Sequence, residues 1–179
     1  MKYVALLRAV NVGGRSLKMA ALVKTFKRLG FKDVRSFIAS GNVLFSTGIK
    51  NETSLAKKIE KAIADDFKME VPVLLRSQKE LTALVKKIPK AWINDQEWKC
   101  DVMFLWDHID TKSVLKEFPW NPKLEELRYV PGAILWRIDR KYAGKSRMFK
   151  IVGTKLHKSL TVRNPNTVRK IYALMRESK

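Results

Sequence analysis

The apolar pattern between Tyr3 and Arg76 changes period in an order that leaves few folds open. Tyr3 to Val10 is an apolar, β-leaning run and reads as a strand. Asn11-Val12-Gly13-Gly14-Arg15-Ser16 is a turn cluster. Met19, Leu22, Val23, Phe26 and Leu29 then recur at helical spacing, with Gly30 placed as a C-terminal stop. Val34 to Ala39 predicts a second strand, turned by Ser40-Gly41-Asn42 into a third at Val43-Leu44-Phe45. Leu55, Ile59, Ala62, Ile63 and Phe67 mark a second helix, and Pro72 to Arg76 a fourth strand that opens on the proline. Strand, helix, strand, strand, helix, strand is the ferredoxin-like order.

The rest of the chain predicts a second round of the same order. Ser77-Gln78-Lys79-Glu80 is a capping box, so a helix starts there and runs to Pro89. Residues 89–99 read as a loop holding Trp92 and Trp98. Val102 to Trp106 predicts a strand, Ser113 to Phe118 a short helix, and Leu127–Val130 with Ile134–Ile138 a hairpin across Pro131-Gly132. A helix near 147–152 and a strand near 160–162 follow. Asn164-Pro165 opens the last helix, with Asn as N-cap and Pro in the first turn. The expected class is α+β: two ferredoxin-like units in tandem, packed together, with a C-terminal helix. The expected boundaries are 1–76, a helix and linker at 77–99, 100–163, and 164–179. The first strand and the Val102–Trp106 strand are apolar on both faces, which predicts sheets covered on both sides.

Charge is the second constraint. Residues 1–50 carry 10 Lys/Arg against Asp33, and residues 137–179 carry 13 against Asp139 and Glu177. Residues 51–136 carry 14 of each sign, so the whole net charge of +20 sits in the two terminal segments. If they meet, they form one positive face, with Arg15 and Arg163 on the same side, and the partner is anionic. Hydrophobic content of 46% supplies a core, so the charge does not signal disorder. Nothing approaches the ~20 apolar residues of a membrane span, and the run after Met1 breaks at Arg8, too early for a signal peptide. A cytoplasmic protein without membrane insertion is expected. The single cysteine, Cys100, excludes an internal disulfide and reads as a buried, inert thiol.

Three junctions carry the residues suited to an anion. At the first, Arg8, Asn11, Gly13, Gly14, Arg15 and Lys18 surround a strand-to-helix turn, where glycines allow close approach and a helix N-terminus offers free N–H groups. The spacing fits neither a dinucleotide fingerprint nor a P-loop. The second is Gly144, Lys145 and Ser146, and the third is Arg163, Asn164 and Asn166. Solvation of Lys145 and Arg147, and plain capping by Asn164 and Thr167, compete with ligand contact there.

Catalytic patterns are sparse. His108 and His157 are the only histidines, without ligand-spaced partners, so no metal and no cofactor are expected. Asp107-His108 reads as a surface turn with no nucleophile beside it. Trp106 and Trp136 read as core, whereas Trp92, Trp98 and Trp120 read as partly exposed. The third strand lacks the basic-Gly-aromatic signature of an RNA-recognition motif.

Leu6-Leu7-Arg8-Ala9-Val10-Asn11-Val12-Gly13-Gly14, Ser40-Gly41-Asn42-Val43, Pro72-Val73, Gly144-Lys145-Ser146 and Thr161-Val162-Arg163-Asn164-Pro165-Asn166-Thr167-Val168 occur in that order. Over essentially the whole length this resembles the bacterial domain-of-unknown-function family 1697. The resemblance implies a pair of ferredoxin-like units and no assigned reaction. Ala9 stands where the family commonly has glycine. Pro165 stands where it usually has Trp, so any stacking by that ring is absent here, while proline in the first turn packs soundly.

The favoured expectation is a nucleic-acid-binding protein that contacts phosphates with little sequence specificity. The alternative is a small enzyme or sensor holding a phosphorylated or other anionic small molecule at Gly13-Gly14. The sequence sets neither a reaction nor an oligomeric state.

Overall fold

In the computed structural model, described for residues 1–8, 17–38 and 41–177, the chain forms two compact units. Met1–Leu81 with Ala173–Lys179 make the first, and Thr82–Tyr172 the second. Each is built on a four-stranded antiparallel sheet.

The first unit follows the predicted order: β1 (Lys2–Leu7), α1 (Met19–Arg28), β2 (Lys32–Phe37), β3 (Asn42–Ser46), α2 (Glu52–Phe67) and β4 (Val73–Ser77). Its strands lie in the order β2-β3-β1-β4. α1 stops where Gly30 takes φ +83°, as the glycine predicted. α2 starts on Asn51, whose side chain accepts from the Ser54 N–H, and ends on Lys68 in the left-handed region. Tyr3, Ala5, Leu7, Val43 and Phe45 on one sheet face pack with Leu22 and Phe26 of α1 and Leu55, Ile59 and Ile63 of α2. The opposite face, Val4, Leu6, Leu44 and Leu74, is equally buried. β2 is the exception, an edge strand with its register shifted between Lys32 and Arg35 and Asp33 at φ +52°.

The capping box forms as read. The Ser77 N–H and Oγ both donate to Glu80 Oε2, at 2.8 and 2.5 Å, and α3 (Gln78–Val85) follows. It ends before Ile88, in a turn closed by the Lys87 and Ile88 N–H groups.

The second unit has β5 (Trp98–Leu105), β6 (Glu125–Val130), β7 (Ala133–Asp139) and β8 (Leu160–Arg163), ordered β6-β7-β5-β8. This is the first sheet's order repeated. Leu7 N–H donates to Gly41 O at 2.8 Å and Arg8 N–H to Pro72 O at 3.0 Å; Leu105 donates to Gly132 O at 3.0 Å and Trp106 to Ser159 O at 3.1 Å. Val4 faces Arg76 across β1 and β4, as Val102 faces Arg163 across β5 and β8.

The connections differ between the units. Where the first has α1 and α2, the second has 3-10 segments at 107–109, 112–117, 140–145 and 148–151, with only the four-residue α4 (Lys155–Lys158). The helices expected at 113–118 and near 147–152 are therefore 3-10 turns. β5 also begins four residues earlier than the apolar run suggested, because Trp98 to Asp101 pair with Asp139 to Trp136 of β7. α5 (Pro165–Arg176) closes the chain. Its last carbonyls are held by first-unit side chains: Lys2 Nζ and Gln78 Nε2 reach Met175 O at 3.1 and 3.2 Å, and Arg35 donates to Leu174 O. Cations at a helix C-terminus also oppose its partial negative charge.

Candidate nucleic-acid interface

Arg8, where the first predicted junction begins, lies just past β1 at one end of the first sheet. The Leu7–Gly41 and Arg8–Pro72 hydrogen bonds bring Arg8, Gly41 before β3 and Pro72 before β4 together there. Three of the sequence motifs thus share a sheet end, held by backbone pairing. Asn42 is buried and donates to Phe37 O at 3.0 Å. Arg8 is half-buried. Lys18 is exposed, and its carbonyl takes the first hydrogen bonds of α1. Asn11, Gly13, Gly14 and Arg15 lie outside the described residues, as do Ala9, Val10, Ala39 and Ser40, so the expectation that Arg15 and Arg163 share a face also falls there.

The third junction is closely built. Asn164 caps α5, its Oδ1 accepting the Thr167 N–H at 2.8 Å. Asn166 exchanges two hydrogen bonds with Asn94, giving Nδ2 to its carbonyl at 3.0 Å and accepting its N–H at 3.2 Å. Asn94 Oδ1 in turn takes the Cys100 N–H and Arg140 Nη2. These amides fasten the 89–97 loop to α5. Arg163 is buried, donates to Thr161 Oγ1 at 3.0 Å and Val162 O at 2.7 Å, and burial brings its guanidinium down to about 10. Arg76, its counterpart in the first sheet, is buried too and donates to Leu75 O. Asn164→Ala is therefore expected to cost about 1 kcal/mol of stability, the usual value of an N-cap, and to leave oligonucleotide affinity unchanged. Urea unfolding and a binding titration on the same variant check both halves.

The second junction opens outward. Gly144 and Lys145 are exposed, and nothing lies within 4 Å of where a Cβ would stand on Gly144. Ser146 is buried and accepts the Met148 N–H at 3.1 Å, so it caps a turn. Around it, residues 140–158 contain seven Lys/Arg and no acid. All seven (Arg140, Lys141, Lys145, Arg147, Lys150, Lys155 and Lys158) are exposed. Two are engaged: Arg140 hydrogen-bonds Asp95 O and Asn94, and Lys141 pairs with Asp139 at 2.9 Å, holding that carboxyl below its ordinary range. Lys141 and Lys145 also lie over the Tyr142 ring, at 5.0 and 5.6 Å. Phe149 and Val152 project from the same stretch, 67% and 65% exposed. The sequence reading missed both, because it took 147–152 for a helix.

Elsewhere several expectations are corrected. Trp92 is buried at 2% exposure, because Arg128 and Arg137 lie over its ring and its carbonyl accepts from Arg169. Trp106 is half-buried instead of core, since β5 ends before it. Arg169 on α5 is tied to Trp92 O and Pro89 O. Cys100 is wholly buried, and burial pushes its thiol up to about 11, which suits the inert reading. His108 has a hydroxyl beside it after all: its Nε2 is 2.9 Å from Ser159 Oγ. No carboxylate among the described residues hydrogen-bonds its other ring nitrogen, so the pair lacks the group that orients a catalytic base. A cleft of about 340 Å³ in the first unit is lined by Lys2, Arg35 and Glu177, but these charges already serve α5 and each other.

Among the described residues, no three His, Cys, Asp or Glu side chains cluster to hold a metal, and no helix is long and apolar enough to cross a membrane.

The chain belongs to a family described as protein of unknown function (DUF1697), whose pattern matches residues 1–136. Among solved structures, it is similar to the conserved bacterial protein SP0830 from Streptococcus pneumoniae. The two share 26% identity over 98% of each chain, with a TM-score of 0.81. No curated protein matches the chain.

Proposed function

We propose that this protein binds nucleic acid through its phosphates, with little sequence specificity, in the cytoplasm, on a scaffold of two ferredoxin-like units. The observation that carries the reading is the 140–158 segment: seven exposed cations without an acid, six of them in no ion pair among the described residues. A single small anion needs a few convergent donors in a concavity. A polyanion needs several exposed charges, and this segment carries seven within nineteen residues. The open backbone at Gly144 favours close approach of a phosphate. In the first unit, Lys24 and Lys27 of α1 are exposed too, whereas Arg28 is held by Asp66 at 2.6 Å.

Titration of labelled duplex and single-stranded oligonucleotides at two salt concentrations tests the proposal. Non-specific phosphate contact predicts a Kd of roughly micromolar or weaker at physiological salt. Four or five contacts predict that log K falls against log salt with a slope of about −3 to −5. An absence of binding at low salt would refute it. Attention would then return to a small anion at Gly13-Gly14.

A further inference from the structure

The 140–158 segment pairs its charge with an outward apolar surface, and 3-10 geometry explains why. With three residues per turn, side chains at i and i+3 share a face. Met148 and Ile151 turn into the core, at 6% and 8% exposure. Phe149 and Val152, one residue on from each, therefore share the outer face, at 67% and 65%. Lys150 stands between them, and Arg147 and Lys155 flank them; all three are exposed. Their packing does not require Phe149 or Val152 to be apolar.

We propose that Phe149 is a stacking platform for an unpaired base, so that the partner of this segment is single-stranded nucleic acid. The inference rests on the nucleic-acid reading above. A duplex keeps its base faces inside the stack. A single strand offers a π-face with every nucleotide and a phosphate beside each, which suits an aromatic ring set among lysines. A second copy of this chain is a poor occupant, because a self-complementary contact would set these cations against one another. An anionic bilayer matches the charge. One Phe and one Val on a four-residue turn, however, lack the apolar stripe by which interfacial helices bind.

The test uses the full chain with labelled oligothymidine, a labelled duplex of matching length and phosphatidylserine vesicles. Phe149→Ala should weaken oligothymidine binding by roughly 5- to 100-fold, the range expected for removing one base–aromatic stack. The salt slope, duplex binding and melting temperature should stay as in wild type, and Phe149→Trp should bind oligothymidine like wild type. Wild type and Phe149→Ala binding oligothymidine alike would overturn the stacking inference and leave the phosphate reading standing. Equal losses on duplex and single strand would overturn the single-strand assignment. Vesicle binding that depends on Phe149, with oligothymidine binding unaffected, would give the patch to membranes instead. Failure of wild type to bind any oligonucleotide would remove the underlying reading as well.

Discussion

Phe45→Ala is expected to lower the unfolding free energy by about 3–5 kcal/mol, the usual cost of deleting a buried aromatic ring. Phe45 is 2% exposed in β3. Its ring stacks on Phe31 at 4.6 Å, meets Phe26 edge-on at 5.3 Å and lies 5.9 Å from Tyr3. These partners come from β1, from α1 and from the link after α1. Each is held by its own backbone, so the site cannot close by moving one neighbour. A loss near the upper end of the range is expected for that reason. Urea unfolding should show a lower midpoint with an unchanged slope. The same substitution at Phe149 should change stability by no more than about 0.5 kcal/mol, because its ring is mostly in water. A cost at Phe45 below about 1 kcal/mol would mean that the four rings repack, contrary to the geometry.

The contrast between those two rings also marks what the sequence made legible. Where apolar residues keep one period, the reading held. α1 and α2 each show a single helical stripe, and both run within a few residues of their predicted bounds. Local chemistry held as well. Ser77 with Glu80, and Asn164 with the Thr167 N–H, are bonds between residues three apart, and their types alone predict them.

The reading failed where a distant residue decides the outcome. Trp92 sits in a loop among polar residues, and it is buried because Arg128 on β6 and Arg137 on β7 cover it. Trp98 to Asp101 look mixed and loop-like, yet they are strand because β7 pairs with them. Met148 and Ile151 versus Phe149 and Val152 failed for another reason. Four apolar residues in a row of five fit a helical turn as readily as a 3-10 turn, and only the latter turns one pair inward and the other outward. The sequence could not tell that Arg163, Asn166 and Ser146 are bound into the fold while Lys145 and Gly144 stand open.

Reversing Lys145, Lys150 and Lys155 together to Glu is expected to reduce oligonucleotide affinity by roughly two orders of magnitude at physiological salt. Each phosphate left without its lysine keeps one counterion that binding would otherwise release, worth about four- to fivefold at that ionic strength. Three such phosphates give about a hundredfold, and the new carboxylates add repulsion to the remaining ones. The slope of log K against log salt should become shallower by about 2 to 3. None of the three lysines is in an ion pair among the described residues, and all are exposed, so the melting temperature should hold. A matched triple reversal at Lys86, Lys87 and Lys90 separates site from bulk charge. Those lysines are exposed as well, lie in the charge-balanced middle of the chain, and their reversal gives the same net charge. The second triple should weaken binding far less than the first. Equal losses from both would mean that affinity follows net charge alone, and the 140–158 segment would no longer be the interface.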